Sequence, residues 1–236
     1  MKILKSLLQF TTVLPLGKPQ DLEPFARHSY LYPVAGYVIG AIVALPVFFI
    51  ADHTIAAAVA IALIMLISGA HHFDGLLDFG DGLMAHGDRE KRIRALTDRY
   101  IGAGGVAAGI VIILLLFAGL QASTSIVFAI IIGEVCAKLS MTLLTTYGTP
   151  FRQGIHSYLH QFSKPHFPLI AALLCAPILF IPIAPFKLIG AILVAVLCPA
   201  IMLLVSKRLF GGVNGDVVGA ANEITRACAI IALAII

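Results

Sequence analysis

The sequence is short of charge. Of its 236 residues, 12% are Asp, Glu, Lys or Arg, about half the ~25% usual for a soluble domain. That is too little to coat a water-soluble surface. With 60% apolar residues and a mean hydropathy of +1.00, it excludes soluble and disordered classes alike. Tryptophan is absent, so anchoring at a membrane interface falls to Tyr and Phe. Cysteine is scarce: Cys136, Cys175, Cys198 and Cys228 lie far apart in apolar runs without Cys-x-x-Cys spacing. This excludes a disulfide scaffold and reads as packing. No P-loop, Ser-His-Asp arrangement, fixed-period repeat or low-complexity tract is visible, and nothing points to a nucleic-acid partner.

Long apolar runs fill the chain instead. A helix crossing the hydrocarbon layer needs about 20 apolar residues. Candidate spans fall near 34–51, 54–71, 104–121, 124–146, 167–185, 187–206 and 217–236, the fifth weakened by Pro177, Pro182 and Pro185. The expected fold is an all-α, polytopic membrane helix bundle of about seven spans, one domain over 1–236. Met1 to Phe10 has lysines, but its apolar stretch breaks at Pro15, which suits an interfacial helix rather than a signal peptide.

Lys and Arg sort to one face. Thirteen lie in the N-terminal segment and the 72–103, 147–166 and 207–216 loops, whereas the opposite face has only Lys187. The positive-inside rule makes the first face cytoplasmic, with the N-terminus inside, and implies a multi-pass plasma-membrane protein surrounded by membrane lipid. A homo-oligomer is compatible with this reading.

The chemistry-bearing groups crowd that face. In His-His-Phe-Asp-Gly-Leu-Leu-Asp-Phe-Gly-Asp-Gly (71–82), Asp74, Asp78 and Asp81 stand at i, i+4 and i+7, one stripe of a helix. Three carboxylates on one stripe repel unless a cation or protons intervene. Oxygen-only ligands suit a hard cation such as Mg²⁺, which accepts phosphates as further ligands. A solvated acidic helix end would carry the same charges, but Phe73, Leu76, Leu77 and Phe79 between them argue for a packed interfacial helix. The basic run Arg89 to Arg94 either holds phosphates or follows from topology alone. Gly102, Gly104 and Gly105 open a span, where free backbone N–H groups can cradle a phosphate. Asn214, Asp216, Glu223 and Arg226 form a third patch, and carboxylates at membrane depth are functional candidates. Glu134 and Lys138, at i and i+4, suit a structural pair at least as well. His156 and His160 have zinc-compatible spacing but also suit a polar loop. Arg152 is a candidate anion contact.

At these residues the chain resembles the cobalamin synthase family. The likeness runs over nearly the whole length: Phe10-Thr11 with Leu14-Pro15, Tyr32-Pro33 with Gly36 and Gly40, and the acidic signature of His72, Asp74-Gly75-Leu76, Asp78 and Asp81-Gly82. It continues in Asp98, Ile101, Gly102 and Gly104-Gly105, and in Gly211-Gly212, Gly215-Asp216, Gly219-Ala220 and Glu223. Two departures are Arg99-Tyr100, where the family usually has Ser-Arg, and Asn214 in place of Thr. The resemblance implies that adenosylcobinamide-GDP meets α-ribazole or its 5′-phosphate, yielding adenosylcobalamin or its phosphate and GMP. It implies Mg²⁺ on Asp74, Asp78 and Asp81, with Asp81 also counted as catalytic. Asp98, Asp216 or Glu223 would complete the shell or orient the acceptor hydroxyl. His72, Arg99, Gly102, Gly104, Arg152 and Asn214 would contact substrate.

Two rivals fit less well. A CDP-alcohol phosphotransferase also offers aspartates at the cytoplasmic boundary, but its signature has Ala-Arg after Asp-Gly and wider spacing. A cation-coupled transporter would explain the ionisable groups within spans, yet it should not leave the opposite face nearly bare.

Overall fold

The computed structural model describes residues 1–235. Its helices are α1 (Lys2–Thr11), α2 (Glu23–Ala26), α3 (Tyr32–Val47), α4 (His53–Ser68), α5 (His71–Met84) and α6 (Arg89–Leu96). They continue as α7 (Ala103–Ala122), α8 (Ile126–Tyr147), α9 (Ile155–His160), α10 (Phe167–Cys175), α11 (Pro185–Leu209) and α12 (Gly215–Ile235), with 3₁₀ turns at Ser29–Leu31 and Ala176–Phe180. Among the described residues there is no strand, only an isolated parallel bridge between Pro150 and Val213.

Five helical segments are long and apolar enough to cross a membrane: Ser29–Val47, Ala103–Ala122, Ile126–Tyr147, Pro185–Leu209 and Gly215–Ile235. Counting the bent pair α4–α5 as one span makes six. The expected seven is not reached on this measure, for two local reasons. The span expected over 54–71 stops at Ser68, because Gly69 (φ 64°) and Ala70 (φ 57°) are both left-handed; α5 then leaves at 96° to α4. The orphan carbonyl of Ile67 is satisfied from outside, by the N–H of Val13 at 2.8 Å. The span expected over 167–185 is the broken helix Phe167–Phe180, since Pro177 contributes no N–H to continue an α-helix.

The core lies along α8 and α12, which are 78% and 72% buried, against 28% for α7 and 33% for α11. Lipid-facing side chains such as Val106, Ile110, Leu193 and Leu204 are exposed, as apolar solvent permits. Helix α3 lies on α8 through glycine: a Cβ on Gly36 would stand 2.8 Å from the Glu134 carbonyl.

Polar glue joins α8 to α12. Arg226 Nε stands 2.6 Å from Glu134 Oε1, Arg226 Nη1 pairs with Glu223, and Lys138 Nζ lies 3.6 Å from Glu134 Oε2. Lys138 Nζ donates to Asn222 Oδ1 at 2.7 Å, and Asn222 Nδ2 donates to Glu223 Oε1 at 3.0 Å. The ring closes on itself with two positive and two negative charges, all nearly inaccessible. Removing one partner strands a buried charge, so Arg226→Met should cost about 3–5 kcal/mol. Thermal unfolding in detergent measures this, and adding Glu134→Gln should restore part of the loss.

Candidate functional site

Helix α5 carries the acidic stripe, and its glycines determine what the stripe meets. A Cβ on Gly75 would stand 2.8 Å from the Asp216 carbonyl of α12, and one on Gly80 equally close to the Gly104 carbonyl of α7. Gly219 in turn lies against His72. Thus α5 runs antiparallel to the first turns of both α7 and α12. The glycines that weaken it as a helix are what permit this double contact. Its C-terminus is capped by Arg92, whose Nη1 donates to the Leu83 carbonyl at 2.9 Å. One member of the basic run is therefore a helix cap.

The stripe divides. Asp81 turns to α7: its Oδ2 accepts from the Gly102 N–H at 2.7 Å and its Oδ1 from the Gly105 N–H at 2.8 Å. It caps α7 from another helix, so the N–H groups expected to cradle a phosphate at Gly102 and Gly105 hold a carboxylate instead. Asp74 and Asp78 turn the other way and share a field with Asp216 and Arg152. Burial first, then the charges of Asp216, Asp74 and Asp81, push Asp78 up to about 7, while Arg152 opposes the shift. Asp216 is held by Asn214, whose Nδ2 donates to its Oδ2 at 2.6 Å, while Asn214 Oδ1 accepts from the Val217 N–H at 3.1 Å. Asn214 is thereby the N-terminal cap of α12, a task open equally to the Thr it replaces.

Beside this cluster a cavity of about 460 Å³ opens between α1, α3, α8, α9 and α12. Of the residues expected in the site, His72, Arg152, Asn214 and Asp216 line it. Its wall also includes Phe10, Tyr32, Met141, Thr145, His156 and Leu159, which the sequence offers no joint signal for because they come from four separate segments. His156 Nε2 donates to the Gly148 carbonyl at 2.8 Å and His160 Nδ1 meets the Thr145 carbonyl at 2.9 Å, and among the described residues no third ligand joins the pair to make a zinc site. Burial, and secondarily His160, lowers His156 to about 4, so it is neutral at pH 7. Burial and the charges of Lys138 and Arg226 hold His72 well below the usual histidine range as well.

Other expected residues lie elsewhere. Asp98 shares a shallow recess with Asp81, Gly102 and Gly104, and its Oδ1 accepts from the Tyr100 N–H at 3.2 Å. Arg99 is exposed and does not line the cavity. Glu223 belongs to the interior ring, with both oxygens committed to Asn222 and Arg226, so it is a structural element of the bundle. Among the described residues, no three His, Cys, Asp or Glu side chains converge into a ready metal cage. For Mg²⁺ the fit is therefore one of donor chemistry: Asp74 and Asp78 are uncommitted hard oxygen ligands whose mutual repulsion a cation relieves, whereas Asp81 is already engaged.

Comparison with known proteins bears on this arrangement. The family described as cobalamin-5-phosphate synthase matches residues 3–234. A protein of Methanocella arvoryzae is 37% identical across 96% of this chain and 93% of its own, and one of Archaeoglobus fulgidus is 36% identical across 100% and 98%. A third, from Methanococcoides burtonii, is 30% identical across 98% and 91%. All three are named adenosylcobinamide-GDP ribazoletransferase. No solved structure matches the chain.

The division of the stripe can be tested by stability. Asp81→Ala strips two capping bonds from α7 and should lower unfolding free energy by about 1–2 kcal/mol, whereas Asp74→Asn should leave the thermal midpoint unchanged. The raised Asp78 carboxyl sets a pH dependence. The Mg²⁺ expected on this stripe would need the ionised form, and with it the Mg²⁺ concentration giving half-maximal activity would climb as pH falls through about 7 and flatten above it. An Asp78→Asn variant should lose that slope.

Proposed function

The chain belongs to the cobalamin-5-phosphate synthase family, and from that premise we propose that it transfers the adenosylcobinamide phosphate group of adenosylcobinamide-GDP to α-ribazole or its 5′-phosphate. The observation that carries this reading is the mouth of the cavity, lined by Arg152 and Asp216, with Asp74 and Asp78 outside that lining on α5, the helix that packs through Gly75 against the Asp216 backbone. That set offers what substitution at phosphorus requires: a cation for the phosphate oxygens, carboxylates for a metal, and an acceptor for a proton.

In the reaction, a ribose hydroxyl oxygen of the acceptor forms a bond to the corrinoid-bearing phosphorus. The bond from that phosphorus to the bridging oxygen of the diphosphate breaks, and GMP leaves with the oxygen. Asp216, aimed by Asn214, takes the hydroxyl proton; of Asp98, Asp216 and Glu223 it is the one that lines the cavity. Arg152 holds a non-bridging oxygen. Asp74 and Asp78 would hold Mg²⁺, which supplies charge neutralisation on the diphosphate. Asp81 acts at one remove, by fixing α7 to α5. The one-sided distribution of Lys and Arg supports a cytoplasmic-facing site in the plasma membrane.

The test uses purified protein in liposomes with adenosylcobinamide-GDP, α-ribazole and Mg²⁺, read out as GMP and completed corrinoid. EDTA should abolish both products, and Asp216→Asn should lower turnover by at least about 100-fold. Full turnover in EDTA, or by Asp74→Asn, would remove the metal assignment.

A further inference from the structure

The cavity is graded from its mouth inward. Arg152 and Gln153 at the mouth are exposed. Further in, Thr145, Tyr32, Leu159 and Met141 are between 0% and 3% exposed. No charged side chain lines this inner part. The only titratable groups there besides Tyr32 are two imidazoles. His156 must carry its proton on Nε2, because the Gly148 carbonyl it meets can only accept. His72 is 8% exposed and its Nδ1 has no hydrogen-bond partner.

Size and polarity together select among the three parts of the proposed reactants. At about 460 Å³ the cavity is at the lower end of the range that encloses a small ligand. A corrin macrocycle with its adenosyl ligand is several times too large to enter. A guanosine would fit by size, but its base presents two donor groups (N1–H and the N2 amine) and three acceptors (O6, N7 and N3) along its edges. Pressed against Met141, Leu159 and Tyr32, most of these would go unpaired, at a cost of roughly 1–3 kcal/mol each. A dimethylbenzimidazole has apolar methyls, a flat ring and one acceptor nitrogen, so it leaves little unsatisfied.

Resting on the transferase reading above, we infer that this cavity is the acceptor subsite: the apolar heterocycle of the nucleoside enters between α3, α8 and α9, and its ribose stays at the Arg152–Asp216 mouth. The corrinoid and the guanosine of the donor then remain outside, over α5, with only the diphosphate reaching the mouth. Catalysis and base selection fall to different ends of one cavity. A 5′-phosphate on the ribose would meet Arg152 rather than the interior, so free and phosphorylated acceptors share the same seat for the base.

Two cavity-filling variants test this in the intact protein. Val218→Phe adds bulk from α12, where Val218 lines the wall. Ile155→Trp adds it from the rim, where Ile155 is 53% exposed and a larger side chain is readily accommodated. Each should raise KM for α-ribazole by about tenfold or more, with KM for adenosylcobinamide-GDP within about twofold of wild type. Binding of α-ribazole without donor, followed by its intrinsic fluorescence, should weaken in parallel, and GMP should not displace it. A rise confined to the donor KM, or competition by GMP, overturns the assignment while leaving the transferase reading intact. Wild-type protein that neither releases GMP nor binds α-ribazole overturns both.

Discussion

The polar end of the bundle depends on how closely α5 approaches its two neighbours. At Gly75 and Gly80 the helix backbones are in direct contact with those of α12 and α7, a separation that no side chain would allow. Because α5 is antiparallel to both, its stripe is stretched between two helix N-termini. One end of it serves α7 as a cap, and the other joins Asp216 and Arg152. A methyl group at either glycine would push these helices apart and separate the carboxylates that the site needs together.

This contact explains why adjacent members of one motif do different work. Asp78 and Asp81 are a single turn apart, yet one is raised by burial and then by like charges, while the other accepts from two backbone N–H groups. A stripe of carboxylates specifies a face, and the face alone does not say which partner each member meets. The same holds for Gly102 to Gly105, whose N–H groups bind an anion, as such turns do, but one supplied by the chain itself.

Much of the architecture was legible from residues. The low charge, the apolar runs and the i, i+4, i+7 aspartates predict a helical membrane bundle with an acidic helix at one end. The prolines after residue 176 mark the broken helix, whereas α1 already ends at Thr11, ahead of the break expected at Pro15. What the sequence does not carry is long-range pairing. Arg226 at i+3 hints that Glu223 is a structural pair, but nothing local shows that this pair closes a ring with Glu134 and Lys138, 89 and 85 positions earlier. The bend at Gly69–Ala70 is equally hidden, since alanine seldom adopts a left-handed conformation, and nothing in the sequence shows that Phe10, Tyr32, His156 and Asp216 meet around one cavity.

The buried ring has a consequence for how such a chain is made. Glu134 and Lys138 are one turn apart on α8, and Glu223 and Arg226 nearly so on α12. Each helix therefore brings its own counter-charge and can leave the translocon with no net charge to drag into lipid, although the two helices are synthesised far apart in time. Only when α12 arrives does Arg226 reach Glu134, and two self-sufficient pairs become one joint. Both intrahelical pairs persist beside the Arg226–Glu134 contact, so neither helix depends on the other for its counter-charge.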